Sequence, residues 1–337
     1  MMKLLALIMS LIIVLFPGCF TAIDSRVGEV PDYGELSNAE ADESTRDVYT
    51  YLCSVYKNKI LSGQMESAWH GRPDREIDYI YELTGKYPAI RGLDFIGDDF
   101  EGVIERSKAW WDKGGIVTIC WHCSSDFDKG YKECLESDIE NWDLALTPGT
   151  AEYERLIAGM DKAAAALKEL EEAGVPVLWR PFHELDGDWF WWSRGGPRNF
   201  VKLWRTMYTR FTDDWGLNNL IWVCGFQALS YAPELWYPGD GYVDIIGADS
   251  YYGGTQTLLF SRMKMLAGNR KPICFHENGT IPNIDALKLL HTDWCYFMTW
   301  HSEFLTDEKW NTKENIIKAY SNKNVVTLDK LPAFFKK

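Results

Sequence analysis

The chain has 337 residues, enough for one large domain or two small ones. It is 46% hydrophobic and 25% charged, an ordinary soluble globular composition, but its 15% aromatic content, with 16 Trp, exceeds what a core needs and points to aromatic surface lining a cleft. A formal charge of −14 argues against nucleic acid or an anionic membrane as partner and is compatible with a neutral polymer such as a polysaccharide.

Lys3 is followed by an apolar run over 4–16, the length of a signal-peptide core and short for a membrane span. Phe16-Pro17-Gly18-Cys19 then resembles a lipobox, so 1–19 reads as a lipoprotein-type signal peptide. Export is expected, with a lipid on Cys19 holding the protein at a cell surface or in the periplasm; a plain signal peptide cleaved near Ala22 is the alternative. The stretch 20–45, rich in Ser, Asp and Glu, reads as a tether, and 46–337 as the folded domain. Without Cys19 seven cysteines remain, an odd number that rules out a complete disulfide framework. Cys53, Cys224, Cys274 and Cys295 lie in apolar runs and read as small buried residues; among Cys120, Cys123 and Cys134 one local disulfide is expected.

Strand-like runs follow at 60–65, 89–94, 116–121, 175–180, 220–224, 243–249, 272–275 and 295–300. Helical periodicity occupies 75–84, 100–113, 150–173, 200–211, 256–267 and 283–291. Alternating β and α with near-continuous apolar strands means a parallel sheet covered by helices, and eight units fit an α/β fold of the (β/α)8 TIM-barrel type. The fifth unit is irregular: 227–242 contains Pro233, Pro238 and several Gly and reads as a long loop. No GxGxxG or GxxxxGK[ST] occurs, which argues against a nucleotide-binding doubly wound sheet.

In such a barrel the functional groups sit at the C-terminal ends of the strands. His122, Glu184, Asp249, Tyr251, Glu277 and Trp300 all fall there. His-Glu occurs twice, as His183-Glu184 after the fourth strand and His276-Glu277 after the seventh, so the two carboxylates can face each other across the barrel mouth. That is the requirement for acid/base chemistry on a glycosidic bond, with about 5–5.5 Å between carboxyls in a retaining enzyme. Arg180 or Arg194 as an ion-pair partner for either Glu is the bland alternative. Tyr251 can donate to the Glu277 carboxylate, keeping it ionised and aimed. Strand alternation turns His183 and His276 away from the adjacent Glu, although a twist at the strand end can bring His183 to a substrate; His276 reads as structural. Trp121, Trp189, Trp192 and Trp300 can offer flat faces to sugar rings, Trp300 best placed as a subsite floor.

These segments resemble family 26 of the glycoside hydrolases, best known for β-mannanases. The family's motifs recur in order over roughly 60–305: Gly63-Gln64, 89–94, 111–122, the Arg-Pro-Phe-His-Glu of 180–184 running into the Trp-Phe-Trp-Trp of 189–192, 237–251, Glu277-Asn278-Gly279 and Trp300. The resemblance implies Glu184 as acid/base and Glu277 as nucleophile, with His122, His183, Trp189, Asp249, Tyr251 and Trp300 lining subsites. Two departures, Cys123-Ser124-Ser125 where Asn-Pro is common and Ser193 where Gly is usual, lie on loops and bear on the choice of glycan.

The expected function is a retaining endo-β-1,4-mannanase acting on mannan, glucomannan or galactomannan as a monomer, without metal or cofactor. The alternatives are the same mechanism on mixed-linkage β-glucan or β-1,3-xylan, or exo action. A metal-dependent hydrolase built on His122, His183 and Asp249 has no HxH or HExxH to support it. A purely sugar-binding surface lipoprotein leaves the paired Glu unexplained.

Overall fold

The computed structural model describes residues 33–333, so the signal-peptide reading of 1–19, Cys19 and most of the tether lie outside the described residues. The compact unit begins at Tyr33. This corrects the tether boundary. Leu36, Asn38 and Ala41 are buried, Ser37 N–H donates to Asp244 Oδ1, Asn38 donates to Leu217 O, and Asp42 caps a helix over Glu43–Val55. The polar composition of this stretch hid three apolar or amide contacts that fasten it to the domain.

Eight parallel strands, β1 (Ile60–Met65), β2 (Ile90–Asp94), β3 (Ile116–Cys120), β4 (Val177–Arg180), β5 (Leu220–Gln227), β6 (Ile245–Ser250), β7 (Ile273–Asn278) and β8 (Tyr296–Thr299), pair in sequence order. The sheet closes where Leu61 and Gly63 of β1 pair with Tyr296 and Met298 of β8, giving the (β/α)8 barrel. All strands are buried along nearly their whole length, as expected when one face packs into the barrel and the other under helices. A two-residue strand, β9 (Val325–Val326), pairs with the start of β1, and Leu328 N–H bonds Tyr87 O. This C-terminal stretch is thereby fastened beside the N-terminal ends of β1 and β2.

The helices form where the periodicity places them. Thr150 accepts from Tyr153 N–H and caps the longest, Ala151–Glu172, whose Ala163, Ala164 and Leu167 are fully buried. Trp204 on the helix Gly196–Thr209 meets Trp222 of β5 at 5.8 Å between ring centroids, both fully buried. Each such Trp removes roughly 200 Å² from water, on the order of 5 kcal/mol before ordering entropy. The excess Trp content is therefore largely a shell between strands and helices. After β5 only a four-residue helix, Pro233–Trp236, and a short turn over Asp240–Tyr242 occupy the fifth unit. Inside the barrel, a Cβ on Gly63 would come within 2.7 Å of Phe297 O, and one on Gly92 within 2.7 Å of Met65 Sδ. Glycine there leaves room for the Met65 and Met298 side chains.

All seven described cysteines are free thiols, so the expected local disulfide is not formed. Cys120 sits inside β3 with its thiol turned to Leu93 O, and Cys123 and Cys134 are buried. Among the described residues no helix is long and apolar enough to cross a membrane.

Candidate active site

A cleft of about 550 Å³ opens at the C-terminal ends of the strands and takes in Glu184, Glu277, His122, His183, Tyr251 and Trp300. Glu184 and Glu277 both reach it, and regular alternation fails at each His-Glu pair. Beyond β4, Phe182 and Glu184 adopt left-handed backbone (φ 50° and 49°) on either side of His183. Non-glycine residues rarely do so, and the twist turns His183 and Glu184 toward the same cavity. In β7 the register slips: Ala248 pairs with Phe275 but Asp249 with Glu277, leaving His276 as the extra residue of a bulge. His276 crosses the barrel interior to Thr118 of β3, where its Nε2 meets Oγ1 at 3.1 Å, and Glu277 rises to the mouth. His276 is thus structural.

Glu277 is held by both oxygens. Tyr251 Oη donates to Oε1 at 2.6 Å and Arg180 Nη2 to Oε2 at 2.7 Å. Arg180 Nη1 donates to Asp249 Oδ2, also at 2.7 Å, and all three side chains of this group are at most 5% exposed. Glu184 differs: Trp189 Nε1 donates to its Oε2 at 2.8 Å, and no cation among the described residues pairs with it. Burial, then the charge of Glu277, pushes its pKa up to about 8, against the opposing pull of Trp189 and Arg180. One oxygen each from Glu184, Asp249 and Glu277 lie within 4.8 Å of one another. The two cleft carboxylates are therefore close together and differently poised.

His122 is aimed by Asp94 on β2, which accepts from its Nδ1 at 2.5 Å and from its backbone N–H at 3.0 Å. Burial works against the Asp94 anion, but the His122 contacts outweigh it and hold the carboxyl below its usual range. The His122 ring stands edge-on to His183, 4.5 Å between centroids. His183 is fully buried, with burial first and the Arg180 charge second lowering its pKa, so it faces the cleft as a neutral ring.

The Trp candidates separate. Trp300 lines the cleft; Trp189 does not, but it is 37% exposed and its Nε1 bonds Glu184. A Cβ on Gly187 would lie 2.3 Å from the Trp189 ring, so glycine lets the indole fold back over the turn to Glu184. Trp121 is not a subsite wall: it packs among Phe95, Phe100 and Phe127 and is 2% exposed. Trp192 is not one either, being fully buried with Nε1 bonded to His183 O, where it fixes the turn behind the cleft. Asp249 is likewise corrected: its carboxylate lies below the floor on Arg180. In the run 189–192 the second aromatic, Phe190, is the one that lines the cavity beside Glu184.

Tyr131, Phe190, Trp69, His70, His301 and Phe304 also line the cleft and were not foreseen. Trp69-His70 follow β1 and His301 follows Trp300, so the strand-end rule that found His122 could have found them. Arg180, considered only as a partner for Glu, is the buried charge on which Asp249 and Glu277 converge, whereas Arg194 is spent on the carbonyls of Leu135, Ser137 and Trp189.

Among the described residues two sets of donors are close enough to hold a cation, Asp94 with Cys120 and His122, and Glu184 with Asp249 and Glu277. In the first, Asp94 and His122 satisfy each other; in the second, the positive charge among the carboxylates is that of Arg180.

A closed (β/α)8 barrel with two facing carboxylates at its C-terminal mouth is the arrangement of the barrel glycosidases. The sequence profile of Glycosyl hydrolase family 26 matches residues 37–330, and the chain belongs to that family. It is 34% identical over 315 residues to a mannan endo-1,4-beta-mannosidase of Thermothelomyces thermophilus, covering 88% of this chain and 63% of the relative. It is also 34% identical over 317 residues to mannan endo-1,4-beta-mannosidase B of a Piromyces species, covering 89% of this chain and 54% of the relative. The chain thus spans between half and two thirds of the length of these relatives. A β-mannanase from a symbiotic protist of the termite Reticulitermes speratus, solved with gluco-manno-oligosaccharide, superposes with a TM-score of 0.80 at 31% identity, covering 88% of this chain and 97% of that one.

Proposed function

We propose that this protein is a retaining endo-β-1,4-mannanase in which Glu277 is the nucleophile and Glu184 the general acid/base. The observation that carries the mechanism is the spacing of carboxylate oxygens within 4.8 Å, which suits the roughly 5 Å of retaining enzymes and is shorter than the about 6.5–9.5 Å of inverting ones. In the first step Glu277 attacks the anomeric carbon while protonated Glu184 gives its proton to the departing glycosidic oxygen. A glycosyl ester forms on Glu277 and the aglycone leaves as an alcohol. In the second step Glu184, now a carboxylate, takes a proton from water. The oxygen of that water attacks the same carbon, and Glu277 departs as a carboxylate with the configuration retained.

The unequal surroundings support this division of labour. Glu184 keeps a proton near neutrality and can donate it, whereas Glu277 is aimed by Tyr251 and Arg180 from either side. That His122, His183 and Trp300 line the cleft with the two Glu residues supports their contact with the sugar at the cleavage point. Mannan as substrate is supported by the named relatives and by the gluco-manno-oligosaccharide of the similar solved structure. The test is product analysis on mannan, galactomannan, lichenan and β-1,3-xylan side by side, with NMR of the first-formed anomer. Internal cleavage of mannan to β-configured oligosaccharides is expected; an α-anomer first, or greater turnover on a glucan or xylan, overturns the reading. Glu277→Ala should abolish turnover yet still bind mannopentaose. We also propose that the protein works outside the cytoplasm on a lipid at Cys19, read from 3–19; fatty-acid labelling that persists in Cys19→Ala refutes the anchor.

A further inference from the structure

One end of the cleft is built from two loops that share no backbone pairing, the one after β1 carrying Trp69 and His70, and the one after β8 carrying Trp300 and His301. Between them lies Glu76, in the first turn of the helix Arg75–Thr84 and fully buried although it is a carboxylate. Its Oε1 accepts from Ser67 Oγ at 2.8 Å and from Ser302 N–H at 2.9 Å, one bond to each loop. Oε2 is buried and has no hydrogen-bond partner among the described residues. A buried acid so sparsely satisfied is costly unless its two bonds hold something in place.

They do. Ser302 has φ 55° and ψ −125°, a region that disfavours every side chain, so its N–H needs a fixed acceptor to stay there. Ser302 Oγ meets His301 Nδ1 at 2.8 Å, and the His301 ring stands edge-on to Trp69 at 4.8 Å, two residues beyond Ser67. The path Ser67–Glu76–Ser302–His301–Trp69 closes on itself.

We propose that Glu76 is a positioning residue that clamps these two loops and so shapes a sugar subsite, walled by Trp69, His70 and His301, for the part of a glycan chain beyond the cleavage point. The proposal rests on the mannanase reading. Its effect falls on binding of longer chains and not on bond cleavage, since Glu76 touches neither carboxylate.

The experiment compares wild type, Glu76→Gln, which keeps an acceptor, and Glu76→Leu, which keeps volume only. Each is assayed on manno-oligosaccharides of three to six units, and amide exchange is followed at Ser302. Wild type and Glu76→Gln should gain kcat/KM with chain length. Glu76→Leu should lose that gain through a KM about tenfold higher on the longest substrate, with kcat within about twofold and with Ser302 protection lost. A parallel fall of kcat at every length, or unchanged KM and exchange, overturns the clamp. If Glu76→Leu does not fold, Ser67→Ala removes one bond alone and should raise KM a few-fold on the longest substrate only; no rise overturns the proposal. If wild type cleaves no manno-oligosaccharide, the mannanase reading fails, and Ser302 exchange in Glu76→Leu still decides the clamp.

Discussion

Arg180 reaches from β4 across the barrel interior to Glu277 on β7, a 2.7 Å ion pair in which neither side chain is more than 5% exposed. The same guanidinium holds Asp249, so one cation offsets two carboxylates while Glu184 stays outside the pair. This unequal sharing of charge separates the two Glu residues chemically.

Removing that cation leaves buried carboxylates without a counter-charge. Arg180→Met should destabilise the fold by about 3–5 kcal/mol, lowering the melting temperature by on the order of 10 °C, and should cut turnover by at least about 100-fold. Adding Asp249→Asn should restore part of the stability and none of the turnover. Calorimetry and mannan hydrolysis on the single and double variants check both.

As the proposed proton donor Glu184 acts in its protonated form, so kcat/KM should fall as pH rises through about 8. The folded state also holds this proton more tightly than the unfolded chain, whose carboxyl titrates near the ordinary 4.5. The stability that it contributes is therefore complete below about 4.5 and lost as pH climbs to about 8. Glu184→Gln removes this dependence. Its melting temperature should gain on wild type across that window, which parallel melts at pH 5 and pH 8 would reveal.

The Trp189 bond favours the ionised form of Glu184. Trp189→Phe keeps the ring and deletes the donor, so the alkaline limb should move to higher pH. A limb that stays put or moves down in the pH–rate profile contradicts this assignment.

Trp192 and Trp300 should behave oppositely. Trp192→Ala empties a fully buried site and breaks the bond to His183 O, costing about 3–5 kcal/mol in denaturant melts. Trp300→Ala, at the cleft wall, should leave the melt nearly unchanged and lower kcat/KM on mannan by about 10–100-fold.

The eight β/α units, their parallel order and the mouth of the barrel were legible because apolar runs and caps are local signals. Glu184 and Glu277 were legible because strand ends mark the site. Alternation alone would have turned each preceding His outward. It fails at Phe182 and Glu184 through left-handed backbone and at His276 through a bulge, and neither device has a glycine to announce it.

The barrel, the two cleft carboxylates and the neighbouring Tyr251 follow from residue type and spacing along single segments of the chain. The binding of Asp249 to Arg180 below the floor, the burial of Trp121 and Trp192 in the core, and the walling of one end of the cleft by Trp69, His70 and His301 became visible in the folded chain. Those outcomes depend on contacts between strands and loops far apart in the chain, where burial and pairing are set by what the closed barrel brings together.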